Sequence, residues 1–158
     1  NSTISIQKKN ISKLDTKVTE LNAKIEELEE DEQNLRNSLA NLPPLLINDV
    51  KLGSVNYSWD NIKIQPGERL VSSDVLYLYP KISYVGIRSE TIDLTYKIYK
   101  SGVQKCSVDT EIFVSEGGNT YDLRGYGNND GTAWASGDYR IEIWYRSSCI
   151  YNKSFTIH

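Results

Sequence analysis

Methionine is absent from this chain of 158 residues, histidine occurs only as the terminal His158, and cysteine occurs twice. Each scarcity excludes something. Chain ends fray, so a catalytic base at His158 is not expected. Cys106 and Cys149 form no C-x-x-C and show no metal-ligand spacing. They read either as one disulfide in an oxidising compartment or as two separate small thiols. No Gly-rich phosphate loop, G-x-S-x-G elbow or zinc pattern is present. No apolar run reaches the roughly 20 residues that span a bilayer, and no signal-peptide pattern is visible. An excess of one charge is also missing. The net charge is −3, with six Lys/Arg against eight Asp/Glu in residues 1–42 and twelve against thirteen in the remainder. That balance speaks against a basic nucleic-acid or membrane-surface module. The expectation is a non-enzymatic protein with no cofactor and no metal. A chain that opens on Asn1 without Met is expected to be a mature product or a piece of something longer. An anchor or another domain is expected ahead of it, in the cell envelope or another extracytoplasmic setting.

What is present first is a seven-residue clock. Ile4, Ile11, Val18, Ile25 and, after a break at Glu32, Leu39 form one series, and Leu14, Leu21, Leu28, Leu35 and Leu42 form the other. These are the a and d positions of a heptad repeat. So narrow an apolar seam needs another helix, and a second copy of the chain is the simplest supply. Residues 1–42 are therefore expected to be a coiled-coil oligomerisation stalk about 58 Å long. Mostly β-branched a positions with Leu at d favour a parallel dimer. The flanking charges agree: Lys24 faces Glu29, and Asp31 faces Arg36, across a parallel pair. Lys24-Ile25-Glu26-Glu27-Leu28-Glu29 resembles a trimer-favouring pattern with Lys in place of Arg, so a trimer is the next expectation. The acidic run Glu26 to Glu32 falls mostly at solvated positions and reads as surface. Pro43-Pro44 ends the helix, since a Pro pair cannot continue it, and residues 43–46 read as a short stiff linker.

From residue 47 to 158 the period changes to two, and Tyr, Ile, Val and Thr take over. Strands are expected near Leu46–Leu52, Val55–Trp59, Val75–Tyr79, Lys81–Val85, Thr91–Lys100, Glu111–Val114, Thr120–Tyr126, Asp138–Arg146 and Cys149–Ile157. Turns are expected at Gln65-Pro66-Gly67, Lys100-Ser101-Gly102, Glu116-Gly117-Gly118-Asn119 and Asn128-Asn129-Asp130-Gly131. The last carries oxygen donors but lacks the spaced acidic ligands of a calcium loop, and reads as a plain turn. In Thr91–Lys100 the expected core face is Ile92, Leu94, Tyr96 and Ile98. In Asp138–Arg146 it is Tyr139, Ile141, Ile143 and Tyr145. The fold class expected is an N-terminal coiled-coil helix followed by an antiparallel β-sandwich.

The stretch Trp134-Ala135-Ser136-Gly137-Asp138-Tyr139-Arg140-Ile141-Glu142-Ile143-Trp144-Tyr145, closing on Lys153-Ser154-Phe155-Thr156-Ile157, resembles the final hairpin of bacterial immunoglobulin-like modules. Ser72-Ser73-Asp74-Val75-Leu76-Tyr77-Leu78-Tyr79-Pro80-Lys81-Ile82 is similar to the middle of C-terminal modules of uncharacterised Bacteroidetes-type proteins. The resemblance covers about the last 90 residues and implies an immunoglobulin-like sandwich, with Tyr139 as its tyrosine-corner residue. It implies little about function.

Aromatic residues are plentiful: 11 Tyr, 3 Trp and 2 Phe. Trp144 falls on the wet face of its strand beside Arg140 and Glu142, while Trp59 and Trp134 lie in turn-like surroundings. These three are candidates for a platform that stacks on sugar rings or anchors a protein partner, with ordinary cross-strand packing the stronger expectation. The sequons at Asn1, Asn10, Asn56 and Asn152 match glycosylation acceptors, and a bacterial source would leave them unused. The leading expectation is a stalk that presents sandwich heads for multivalent protein binding. The alternatives are a carbohydrate-binding head and a structural spacer of a larger envelope protein.

Overall fold

The computed structural model describes residues 1–55, 70–128 and 130–158. The chain divides into two compact units, Asn1–Leu42 and Pro43–His158.

The first unit is one α-helix, α1, Ser2–Asn41. Its interior lacks Gly and Pro, which leaves the helical ladder uninterrupted. Short-range bonds run along its surface. Thr16 and Thr19 hydroxyls donate to the Ser12 and Asp15 carbonyls. Arg36 clasps Glu32 one turn earlier through Nε at 3.0 Å and Nη2 at 2.6 Å. Leu42 turns to extended backbone, and its N–H caps the Leu39 carbonyl. No residue of α1 is buried.

The second unit is built from strands β1 Leu45–Val55, β2 Tyr77–Gly86, β3 Glu90–Lys100, β4 Val103–Val114, β5 Gly117–Asp122, β6 Tyr126–Gly127, β7 Gly137–Tyr145 and β8 Ser148–Ile157, with a 3₁₀ turn at Ser72–Asp74. Two antiparallel sheets result. One runs β1-β2-β5, with β6 also on β2; the other runs β4-β3-β7-β8. Their inner faces share a single core cluster. The alternation expected for two strands is present: Ile92, Leu94, Tyr96 and Ile98 of β3 are buried, as are Tyr139, Ile141, Ile143 and Tyr145 of β7. These residues pair directly, Tyr96 opposite Ile143 and Ile98 opposite Ile141.

Several expected elements differ. The first sheet strand begins at Leu45, so the linker expected over 43–46 shortens to Pro43 and Pro44; Pro44 is itself buried and its carbonyl accepts from Ile87 N at 2.7 Å. Lys81–Val85 is no separate strand, because β2 runs straight through Pro80. The neighbouring edge breaks there, between β5 and β6, so no ladder bond requires the missing N–H. The Pro80 carbonyl accepts from Leu123 N at 2.8 Å on that same side. β4 starts eight residues before the expected Glu111, at Val103. Ser101 and Gly102 both take positive φ (51° and 79°), the requirement of a tight two-residue hairpin, and this sends the chain straight back along β3. Gly117 and Gly118 belong to β5 rather than to a turn. The expected strand Val55–Trp59 and the turn at Gln65-Pro66-Gly67 lie outside the described residues, apart from Val55, which ends β1.

His158 is pinned, not frayed. Its N–H donates to the Leu70 carbonyl at 2.8 Å, and its own carbonyl accepts from Ser72 N at 2.6 Å. Cys106 and Cys149 are both free thiols. Two strands, β3 and β7, separate β4 from β8. Three strand spacings amount to about 14 Å, twice the roughly 7 Å that a disulfide tolerates between Cα atoms. Burial pushes the Cys106 thiol up to about 11.

Candidate functional site

The heptad residues of α1, and Leu42 at its C-cap, are exposed. Ile4, Ile11, Leu14, Val18, Leu21, Ile25, Leu28, Leu35, Leu39 and Leu42 are each between 51% and 65% exposed. Their spacing follows the side-chain geometry of a helix, where residues three and four apart share a face. Leaving such a stripe in water is costly, since burying a Leu or Ile side chain is worth ~1.5–3 kcal/mol. Glu32 interrupts the stripe, and its carboxylate is neutralised by Arg36 on the same helix. That contact is a modest surface pair, both side chains being mostly exposed.

The aromatic candidates separate into different environments. Trp59 lies outside the described residues. Trp134 is only 6% exposed, so it packs the head and presents no platform to a ligand. Its ring meets Tyr126 edge-on at 6.3 Å and Tyr139 at 5.7 Å. Its backbone N–H donates to the Val75 carbonyl at 2.8 Å, and its carbonyl accepts from Ser72 Oγ at 2.6 Å. The indole Nε1 is buried and has no hydrogen-bond partner. Sequence placed Trp134 in a turn, and the backbone there is indeed irregular; what sequence does not convey is that this loop folds inward over the core.

Trp144 does lie on the outer face of the second sheet, but its polar and aromatic surfaces are already engaged. Nε1 donates to Glu142 Oε2 at 2.9 Å, and Lys97 Nζ stands 4.2 Å from the ring centre. Glu142 also binds Arg140 at 2.8 Å, and the Arg140 guanidinium lies 5.0 Å from the Tyr99 ring. Register explains this ladder: Lys97 sits opposite Glu142, Tyr99 opposite Arg140, and Thr95 opposite Trp144. Cross-strand neighbours of this kind contribute roughly 0.2–1 kcal/mol each to a sheet.

Tyr139, with aromatic rings for neighbours, is tied to the loop ahead of β7. Its hydroxyl donates to the Ala135 carbonyl, four residues upstream, at 2.6 Å, and burial raises its pKa. Its ring stacks on Phe155 at 5.4 Å. Tyr96 acts similarly from the middle of the core, donating to the Arg124 carbonyl at 2.7 Å, with its pKa raised chiefly by burial.

One contact had no signal in the sequence. Lys153 of β8 reaches Asp49 Oδ1 at 2.8 Å and the Val50 carbonyl at 2.9 Å on β1. It fastens one sheet's edge to the other's. The Lys153 hydrogen bond is the first cause of a lowered Asp49 pKa. Among the described residues no group of three or more His, Cys, Asp or Glu could hold a metal ion. Asp130 accepts from Thr132 N at 2.9 Å, which closes the turn and lowers its pKa. No helix among the described residues is long and apolar enough to cross a membrane.

No family model matches this sequence, and no curated protein does. Among solved structures, a β-glucosidase involved in saponin metabolism from intestinal bacteria aligns at a TM-score of 0.41 and 12% identity, covering 72% of this chain and 16% of its own. The GH3 β-glucosidase of Bifidobacterium adolescentis aligns at 0.32 and 11% identity, covering 72% and 17%. The chain thus spans about a sixth of either enzyme, and likenesses of this size carry no argument about activity.

Proposed function

We propose that this chain is a non-enzymatic oligomeric interaction module. A parallel coiled-coil stalk, a dimer in the first instance and a trimer in the second, gathers immunoglobulin-like heads at a cell envelope for multivalent binding to a protein partner. The observation that carries the reading is the heptad stripe of α1, nine apolar residues each more than half exposed, on a helix with no buried residue. The gain from such an assembly is avidity: weak sites joined on one stalk raise apparent affinity by ~10²–10⁴ without new contacts. Kinship of the heads to immunoglobulin-like modules is supported by the two facing antiparallel sheets and by the Tyr139 hydroxyl on Ala135.

The carbohydrate-platform alternative has less support. Trp134 is buried, and Trp144 has its N–H on Glu142 and a lysine against its ring. Sedimentation equilibrium at micromolar concentration tests the stalk. The wild-type chain should sediment as two or three copies, and a single-copy mass would refute the proposal.

A further inference from the structure

Beside the loop that precedes β7, the head has a cavity of about 240 Å³. Tyr126, Trp134 and Tyr139 give it aromatic walls. Its charged lining residues are Lys100 and Lys105, with no Asp or Glu among the described residues that line it. The fold places both lysines. Lys100 Nζ donates to the Ser136 carbonyl at 2.6 Å and stands 5.3 Å from the centre of the Tyr139 ring. Lys105 is the extra residue of a β-bulge: Cys106 pairs with Ile98 and Gln104 with Tyr99, so Lys105 has no opposite number on β3. Bulges at sheet edges re-aim side chains, and this one, on the edge strand β4, brings Lys105 to the cavity. Neither lysine forms an ion pair with a described residue. The third feature is the indole Nε1 of Trp134. Among the described residues it is the one buried side-chain nitrogen or oxygen that lacks a hydrogen-bond partner. Buried donors are almost always paired, so an orphan needs an explanation. This one belongs to a wall of the same cavity.

We propose that this cavity binds a small organic carboxylate. The two ammonium groups supply the charge. The indole N–H supplies a directed hydrogen bond, of the strong kind that an ionised acceptor makes. Trp134 contributes its N–H here, not a ring face. The carboxylate reaches that buried N–H when the neighbouring Tyr126 ring gives way; this ring is 39% exposed and meets the indole edge-on at 6.3 Å. Size selects an organic ion over a bare inorganic one. The cavity holds several times the roughly 30 Å³ that one water occupies in the liquid. Its aromatic walls suit a flat ring as the body that carries the charge. The site lies wholly within the head, so it stands or falls independently of the stalk.

The test follows the Trp134 indole N–H resonance by NMR in the full chain. Benzoate is the probe, benzamide its neutral counterpart and sulfate an inorganic anion. Benzoate should move the resonance downfield, with saturation, at concentrations up to about 10 mM, the range in which millimolar affinities are read. Benzamide at the same concentrations should leave it in place. Lys105→Met should weaken benzoate binding about tenfold, one decade in the dissociation constant, and Lys105→Arg should restore most of it. Lys105 is exposed, so both variants should keep the near-ultraviolet circular dichroism of the head. A resonance that benzoate does not move, or a benzoate affinity untouched by Lys105→Met, would overturn the proposal. Sulfate acting as strongly as benzoate would overturn the organic carboxylate as the ligand.

Discussion

The helix and the head contain the same kinds of apolar residue and treat them in opposite ways. In α1 every seam residue is exposed, whereas Ile98, Ile141 and Ile143 in the head are fully buried. The difference lies in period. A period of two puts alternate residues on one face of a sheet, and a second sheet of the same chain covers that face. A period of 3.5 makes a stripe on one helix, and nothing else in its own unit is there to cover it. The head thus covers its apolar faces from within, while the apolar stripe of the helix is exposed.

The widest separation between the two should come from Ile25→Lys with Leu28→Lys. Two charges in adjacent seam positions should dissociate the assembly completely and reduce the helical far-ultraviolet signal. The near-ultraviolet signal of the head aromatics should be unchanged. If the head signal collapsed along with the helix, the two units would not be energetically separate. The converse variant is Ile141→Ala. It removes a fully buried side chain from the middle of β7, at a cost of ~2–5 kcal/mol. Head unfolding followed by tryptophan fluorescence should shift by that amount, while the sedimenting mass at low denaturant stays the same.

These contrasts were legible in the sequence to different degrees. The heptads of α1 and the alternation in β3 and β7 could be read because each pattern is local and made of large side chains. The first part of β4 could not: Gln104, Lys105, Ser107 and Asp109 face water, and the inward residues Cys106 and Val108 are small. Gly117-Gly118 reads as a turn in any linear scan, and only pairing with β2 makes it strand. Pro80 reads as a break unless one knows that the adjacent edge is broken opposite it. The burial of Trp134 was hidden for a related reason, since exposure depends on which loop folds over which face. Trp134 is covered because the chain ahead of β7 packs inward on Tyr126 and Tyr139.

A finer probe of the head is Tyr139→Phe. It keeps the ring on Phe155 and Trp134 and removes only the hydroxyl bond to Ala135. The loss should be about 1 kcal/mol, a thermal midpoint lower by roughly 4–8 °C for a domain near 100 residues. A shift below 1 °C would mean that the Ala135 carbonyl finds water without cost, and this bond would then be a consequence of the fold with no share in its stability.

The smallest effect belongs to the Lys153 clasp, and pH isolates it. Asp49 has a folded pKa below its ordinary 3.8, first because of the Lys153 hydrogen bond. A group with a depressed folded pKa binds fewer protons in the folded state, so its contribution is full above 3.8 and is lost as pH falls through the lower folded value. Both side chains are more than a third exposed, so solvent screening holds the contribution below about 1 kcal/mol. Lys153→Met keeps much of the stem and removes the ammonium. Denaturant titrations of head stability should show wild type ahead of the variant at pH 7, with the gap closing as acid protonates Asp49. A gap that stayed constant down to the acid limit would assign the role of Lys153 to its bond with the Val50 carbonyl, which does not titrate, and the two sheets would then be fastened by backbone recognition instead of charge.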